Sequence, residues 1–247
     1  VSLRRRLNGS RRVPASRAAF SPASISGLVA WYDFSAANTR SGGTYTGVID
    51  RGPLGVDLTP SGAAATVVEA GQNGLDYALF NSTLDGTWPE GTWVIGGGGC
   101  TVIAVCKATL SPYGILESTV NGTANTGVAM FTFGAGIRFR SRPLSLAVQV
   151  DDTESLPLDW AILRGEVDSG GSVEMRVAGE STGSANYPHT LAGMTDVVLG
   201  QGAGLGLFQQ PFGELLMFNR RLTASESALI EAWLQAKWAT PYYVGAS

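Results

Sequence analysis

Few side chains in this sequence of 247 residues are of types that do chemistry, and their spacing limits what that chemistry can be. The single histidine, His189, sits in the loop-forming stretch NYPHT, and no serine lies in a nucleophile-elbow pattern. A Ser-His-acid triad therefore lacks its parts. Cys100 and Cys106 share one apolar run, CTVIAVCK. Extended chain would hold them roughly 20 Å apart, whereas a disulfide needs Cα atoms within about 7 Å. They are expected as two reduced core thiols, in keeping with folding in a reducing cytoplasm. With one histidine they make no zinc site. The glycines 96–99 lack the Gly-Lys-Ser/Thr of a phosphate loop, and Gly200, Gly202, Gly204 and Gly206 miss the spacing of a dinucleotide site, so both runs read as turns. What remains is recognition. Trp88 in DGTWPEGTW, and Tyr187 with His189 in SANYPHT, place aromatic faces in turn-rich stretches, where a sugar ring can stack with polar groups around it.

Positioning such loops requires a scaffold, and the rest of the chain reads as strands. The composition is 44% hydrophobic and 15% charged with 33 glycines, which suits short strands joined by tight turns. Strands are expected at 27–34, 76–80, 100–107, 127–133, 137–140, 145–150, 160–167, 172–179, 196–199 and 213–219. In 172–179, Val173, Met175 and Val177 alternate with Ser172, Glu174 and Arg176, predicting one core face and one solvated face. In 100–105 both faces are apolar, predicting a central strand covered on each side. The segments 48–76 and 179–195 are expected as long loops able to carry function. Trp31, Trp93, Trp160, Trp233 and Trp238 fall in strand or helix patterns and are assigned to the core. One helix is expected, at 224–237, where Thr223 and Glu226 form a capping box and Leu229, Ile230, Trp233 and Leu234 an apolar face. No run of 18 apolar residues and no signal-peptide core is present, so a soluble chain is expected.

Two segments at opposite ends of the body carry a resemblance. SISGLVAWYDFSAANT, at 24–39, resembles the opening strand of concanavalin A-like, laminin G-like domains. FGELLMFNRRLTASESALIEAWLQAKW, at 212–238, resembles their closing strand, Asn-Arg-x-Leu turn, capped helix and terminal Lys-Trp. The resemblance implies an all-β fold: a concanavalin A-like jelly-roll sandwich of two antiparallel sheets, with one C-terminal helix, over 21–247. It also implies that the first and last strands pair near each other. Such domains occur in carbohydrate-binding proteins, in glucanases and in bacteriophage structural proteins, so fold alone does not fix function. The glucanases carry a Glu-x-Asp-x-x-Glu strand. Here Glu166 and Asp168 match its start, but Gly171 stands where the third carboxylate belongs. Retaining hydrolysis needs two carboxyl groups about 5 Å apart, so a turn beginning at Asp168 is the expected reading and no catalytic residue is assigned. No cofactor is expected either. Calcium is the ion the resemblance leaves open, with Asp50, Asp57, Asp151 and Asp152 as loop candidates in no ordered Asp-x-Asp-x-Asp pattern.

Charge is distributed unevenly. Residues 1–20 hold Arg4, Arg5, Arg6, Arg11, Arg12 and Arg17 and no acid, giving +6, while the remainder, with 11 basic and 20 acidic residues, is −9. Alone this extended arm is expected to be disordered and to need a partner. Six arginines without interleaved aromatics do not read nucleic-acid sequence. Their planar forks suit docking onto an assembly. The expectation is a non-enzymatic component of a phage-like virion, a capsid decoration or fibre protein. It would be anchored to other virion proteins through the arm, with host glycan as a ligand and no insertion into a membrane. The alternatives are a free carbohydrate-binding module or lectin, secreted or at the cell surface, and then a glycoside hydrolase.

Overall fold

The computed structural model describes residues 20–62, 64–80, 83–87, 99–107, 113–120, 123–133, 136–142, 148–151, 159–168, 170, 172–177, 180–186, 194–200 and 206–240. After a 3-10 turn at Pro22–Ser24 come β1 (Leu28–Asp33), β2 (Thr39–Ser41), β3 (Thr44–Gly47), β4 (Thr59–Pro60), β5 (Thr66–Gln72), β6 (Leu75–Leu79), β7 (Leu84–Thr87), β8 (Cys100–Lys107) and β9 (Tyr113–Val120). Then follow β10 (Thr123–Phe133), β11 (Gly136–Arg142), β12 (Val148–Asp151), β13 (Trp160–Val167), β14 (Ser172–Val177), β15 (Glu180–Asn186), β16 (Asp196–Leu199), β17 (Gly206–Leu207), β18 (Pro211–Phe218) and helix α1 (Ala224–Trp238).

The strands form two sheets. The first runs β15-β14-β13-β8-β18-β6-β5-β3-β2, with β1 also on β18; the second runs β12-β11-β10-β9-β16-β7-β4. Pairing is antiparallel except for the two-residue β17, which lies parallel to β9. The chain is thus an all-β sandwich closed by one helix, and its first and last strands pair, Trp31 opposite Leu216 and Asp33 opposite Glu214. No helix among the described residues is long and apolar enough to cross a membrane.

Two apolar layers result. Between the sheets lie Phe34, Phe80, Phe139, Phe212, Leu215, Met217 and their neighbours. On the far side of the first sheet, Trp31, Ile103, Val105, Trp160, Ile162, Leu216 and Phe218 pack against Ile230, Leu234 and Trp238 of α1. Strand β8 serves both, Val102 and Ala104 facing the first layer and Ile103 and Val105 the second, as its doubly apolar sequence predicts. Cys100 and Cys106 are buried free thiols, and burial pushes both pKa values up.

The helix has the predicted capping box, with Glu226 N–H donating to Thr223 Oγ1 and Thr223 N–H donating to Glu226 Oε2. Its far end is capped from the β5–β6 turn, where Gln72 and Asn73 side-chain amides donate to the carbonyls of Trp238 and Lys237. Leu229, expected on the packed face, is 51% exposed. Ile230 and Leu234 pack as expected, with Trp233 partly buried at the edge, and the inward stripe also takes in Ser227, Glu231 and Trp238, because the sheet offers charges as well as apolar groups there. The segments expected as long loops also carry strands, β4 and β5 within 48–76 and β15 within 179–195.

One carboxylate joins β1, β18 and the end of α1. A register shift between Phe212 and Glu214 leaves Phe212 in the inter-sheet core and turns Glu214 toward the helix, as a bulge does. Gly213 is required at this point, since a Cβ there would lie 2.8 Å from the Trp238 ring. Glu214 is 0% exposed. Its Oε1 accepts from Trp31 Nε1 at 2.6 Å, and its Oε2 accepts from Trp238 Nε1 at 2.7 Å and Lys237 Nζ at 2.8 Å. The same ammonium lies 2.7 Å from Asp33 Oδ2.

Burial, with Asp33 adding repulsion, raises the Glu214 pKa from 4.5 to about 7 against the pull of Lys237 and Trp238. Glu214 therefore holds its proton more tightly folded than unfolded. Its stabilisation is complete below about pH 4.5 and is lost as pH rises through about 7, on the order of 3 kcal/mol in all. The thermal midpoint should fall between pH 5 and pH 8. Glu214→Gln should flatten that fall while lowering stability throughout, because an amide has only one oxygen for two indole donors.

Candidate functional site

The strongest concentration of charge among the described residues is where the β13–β14 hairpin meets α1. Alternation places Arg164 and Glu166 on the helix side of β13, and Glu174 and Arg176 on the same side of β14. The register sets Arg164 opposite Arg176 and Glu166 opposite Glu174. Like charges on directly opposed positions destabilise a hairpin. Within each strand the pairs are compensated, Arg164–Glu166 at 3.2 Å and Arg176–Glu174 at 2.7 Å. The rest of the compensation arrives from later in the chain. Arg221, in the turn after β18, reaches Glu166 at 3.2 Å, Glu174, and Asp168 at 3.6 Å. Glu231 of α1 reaches Arg164 at 3.0 Å and is also attracted by Arg176. Burial raises the pKa of Glu166 and of Glu231, and the neighbouring guanidiniums oppose it.

Arg164, Glu166, Arg176, Arg221 and Glu231 line a cleft of about 300 Å³ together with Leu222, Ala224 and Ala228. Ser227 also lines it, 2% exposed, with no hydrogen-bond partner for its hydroxyl. Arg164 Nε and Glu231 Oε1, although 3.0 Å apart, are out of line for a hydrogen bond.

The expected solvated face of β14 is corrected here: Glu174 is buried, because Arg221 folds over it. Glu166 does not stand free as an acid or nucleophile, since Oε1 accepts from Arg164 and Oε2 from Arg221. Asp168 opens a turn as expected, its Oδ1 accepting from the amides of Gly170 and Ser172.

Of the calcium candidates, Asp50 is buried and accepts from the amides of Trp31, Gly52 and Val56. Asp57 accepts from the amide of Asp50. Both organise the chain after β3 instead of lining an open loop. Asp151 ends β12, so it belongs to a strand, and Asp152 lies outside the described residues. Among the described residues, no three His, Cys, Asp or Glu side chains group to hold a metal.

Trp88, Tyr187 and His189 lie outside the described residues, as do Trp93 and Arg4, Arg5, Arg6, Arg11, Arg12 and Arg17. Phe20, at the end of the arm, packs edge-on to Trp233 of the helix at 6.2 Å. Sequence reasoning missed the cleft because its charges come from the β13–β14 hairpin and, some 55 residues later, from the turn at Arg221 and the helix. The one local signal was the acid-basic alternation of β13 and β14 with Arg220-Arg221 close before the helix.

No family model and no curated protein sequence matches the chain. Solved structures do share its fold. The binding domain of botulinum neurotoxin DC in complex with SialylT gives a TM-score of 0.63 at 10% identity, covering 87% of this chain and 53% of that one. The botulinum neurotoxin serotype D binding domain gives 0.64 at 10% identity, covering 90% and 56%. The serotype D ligand binding domain in complex with N-acetylneuraminic acid gives 0.62 at 11% identity, covering 85% and 52%. The chain thus spans about half the length of each, and at this identity the likeness is one of fold.

Removing Arg221 takes away the one guanidinium shared by Glu166 and Glu174, leaving each with its partner on its own strand. Arg221→Met should cost about 2 kcal/mol at pH 7, less than a fully buried pair because Arg221 is partly exposed. Adding Glu174→Gln should recover part of that loss in denaturant midpoints, since one of the repelling charges is gone.

Proposed function

We propose that the chain is a non-catalytic carbohydrate-binding sandwich. The observation that carries this reading is the shared fold with toxin binding domains, two of them solved with SialylT and with N-acetylneuraminic acid. The state of Glu166 supports the non-catalytic part. A general acid must be able to give its proton to a substrate oxygen, and this carboxylate is held by two arginines under the helix. The aromatic trio Trp88, Tyr187 and His189 supplies the stacking surface.

More narrowly, the sandwich is a component of a phage-like virion, a decoration or fibre protein facing outward. The arm with Arg4, Arg5, Arg6, Arg11, Arg12 and Arg17 anchors it to other virion proteins. What supports the anchor is the charge split between a +6 arm and a −9 body.

Each part has its own test. On a glycan array the full chain should bind at least one glycan, and Trp88→Ala should weaken that binding about tenfold; failure to bind any glycan overturns the carbohydrate reading. Deleting residues 1–20 should abolish incorporation into particles, and unchanged incorporation overturns the anchoring role.

A further inference from the structure

The outward face of α1 differs from that of an ordinary surface helix, which turns charged residues to water. The helix has three charged side chains, and each is directed to the body: Glu226 to Arg220, Glu231 to Arg164, and Lys237 to Asp33 and Glu214. The helical positions left exposed are Ala224, Ser225, Ala228, Leu229, Ala232 and Ala236. None is charged, and Leu229, at 51%, is the most exposed large hydrophobic side chain among the described residues.

One neighbour already meets this face. Phe20, where the described chain begins, packs edge-on to Trp233 at 6.2 Å. Leu229 stands one turn from Trp233 toward the helix N-terminus and Ser225 one turn further, so the three form a single row. In the other direction the row meets Lys237, whose ammonium lies 5.1 Å from the Trp233 ring centre. The residues before Phe20 must leave from this point, and the course toward Leu229 is the one without a cation to repel Arg17.

Composition and size fit the same occupant. Residues 14–19 carry one charge, Arg17, and the other five arginines all precede them. Extended chain alternates its side chains, so Pro14, Ser16 and Ala18 fall on the same side as Phe20, and Arg17 on the other. About 12 Å of helix separates Trp233 from Ser225, which about four extended residues cover, bringing Ser16 to Ser225. A helix face of this length offers a few hundred Å² at most, short of the roughly 800 Å² that each partner in a stable complex buries. A tethered segment needs less, because the chain itself holds it near the face at high effective concentration.

We infer that residues 14–19 dock along the Ser225–Leu229–Trp233 row of α1, with Pro14, Ser16 and Ala18 against the helix and Arg17 toward water. Residues 1–13, with five of the six arginines, then extend beyond the helix to a partner. The docking goes beyond the anchoring reading and stands whether or not that partner is another virion protein.

Digestion of the full chain with an arginine-specific protease tests it. Cleavage after Arg12 should be rapid and cleavage after Arg17 about tenfold slower, since a docked backbone must open before it is cut. Leu229→Lys, at an exposed helix position, should remove that protection and leave the thermal midpoint unchanged. Under mild oxidation, Ser16→Cys combined with Ser225→Cys should close a disulfide within one chain, while the buried Cys100 and Cys106 stay reduced. Equal cleavage after Arg12 and Arg17 overturns the docking, as does protection that survives Leu229→Lys. A crosslink that joins two chains gives the face to a second copy and overturns the intrachain contact. Absence of any crosslink overturns this course along the row.

Discussion

Glu214 is a carboxylate without access to water, and the architecture around it follows from satisfying it. Two tryptophans separated by most of the chain donate to its two oxygens, and Lys237 bridges it to Asp33. A buried acid is costly unless its hydrogen-bonding capacity is filled. Filling it here requires β1, β18 and the last turn of α1 to arrive together. The bulge at Gly213 aims the side chain, and the absence of a Cβ there lets the Trp238 ring lie against the strand. Trp238 then stacks on Trp160, with ring centroids 5.4 Å apart, carrying the helix onto β13.

The other end of the helix is held by a different kind of demand. The hairpin β13–β14 sets like charges opposite each other and satisfies them only in part, through Arg164–Glu166 and Arg176–Glu174. Arg221 and Glu231 complete it from outside. The helix therefore docks through a buried carboxylate at its C-terminal end, a charge lattice near its N-terminal end, and Ile230 and Leu234 between them. This explains why its inward stripe includes Ser227 and Glu231, and why Leu229 is left exposed. The cleft is the space this lattice encloses without filling.

Strands with an apolar signature were legible in the residues: 100–107 and 160–167 match β8 and β13 at both ends. Most of the strands missed are short or polar; β9 is the exception, eight residues long with Ile115 and Leu116 buried, its apolar run confined to Ile-Leu between Gly114 and Glu117. β2 is Thr-Arg-Ser, and β15 is Glu-Ser-Thr-Gly-Ser-Ala-Asn at a sheet edge, with one face or neither in the core. Without alternation there is no period to read. The charged cleft was illegible for a related reason. Its groups come from β13, β14, the turn at Arg221 and the helix, and only the cross-strand register shows that Arg164 meets Arg176 and Glu166 meets Glu174.

By itself the sequence determined the all-β class, the capped closing helix and the doubly covered strand β8, through period-two alternation and a capping box. That the first and last strands pair was what the family resemblance of the two outer segments implied. Tertiary structure alone decided why those ends matter. Trp31, Asp33, Glu214, Lys237 and Trp238, read separately as core residues or motif letters, form one hydrogen-bonded network. It alone decided, too, that Glu166 is a lattice charge beneath a helix. The physical reason is common to both: the energy of a buried charge depends on which groups surround it in space, and sequence separations of 183 residues carry no record of contact.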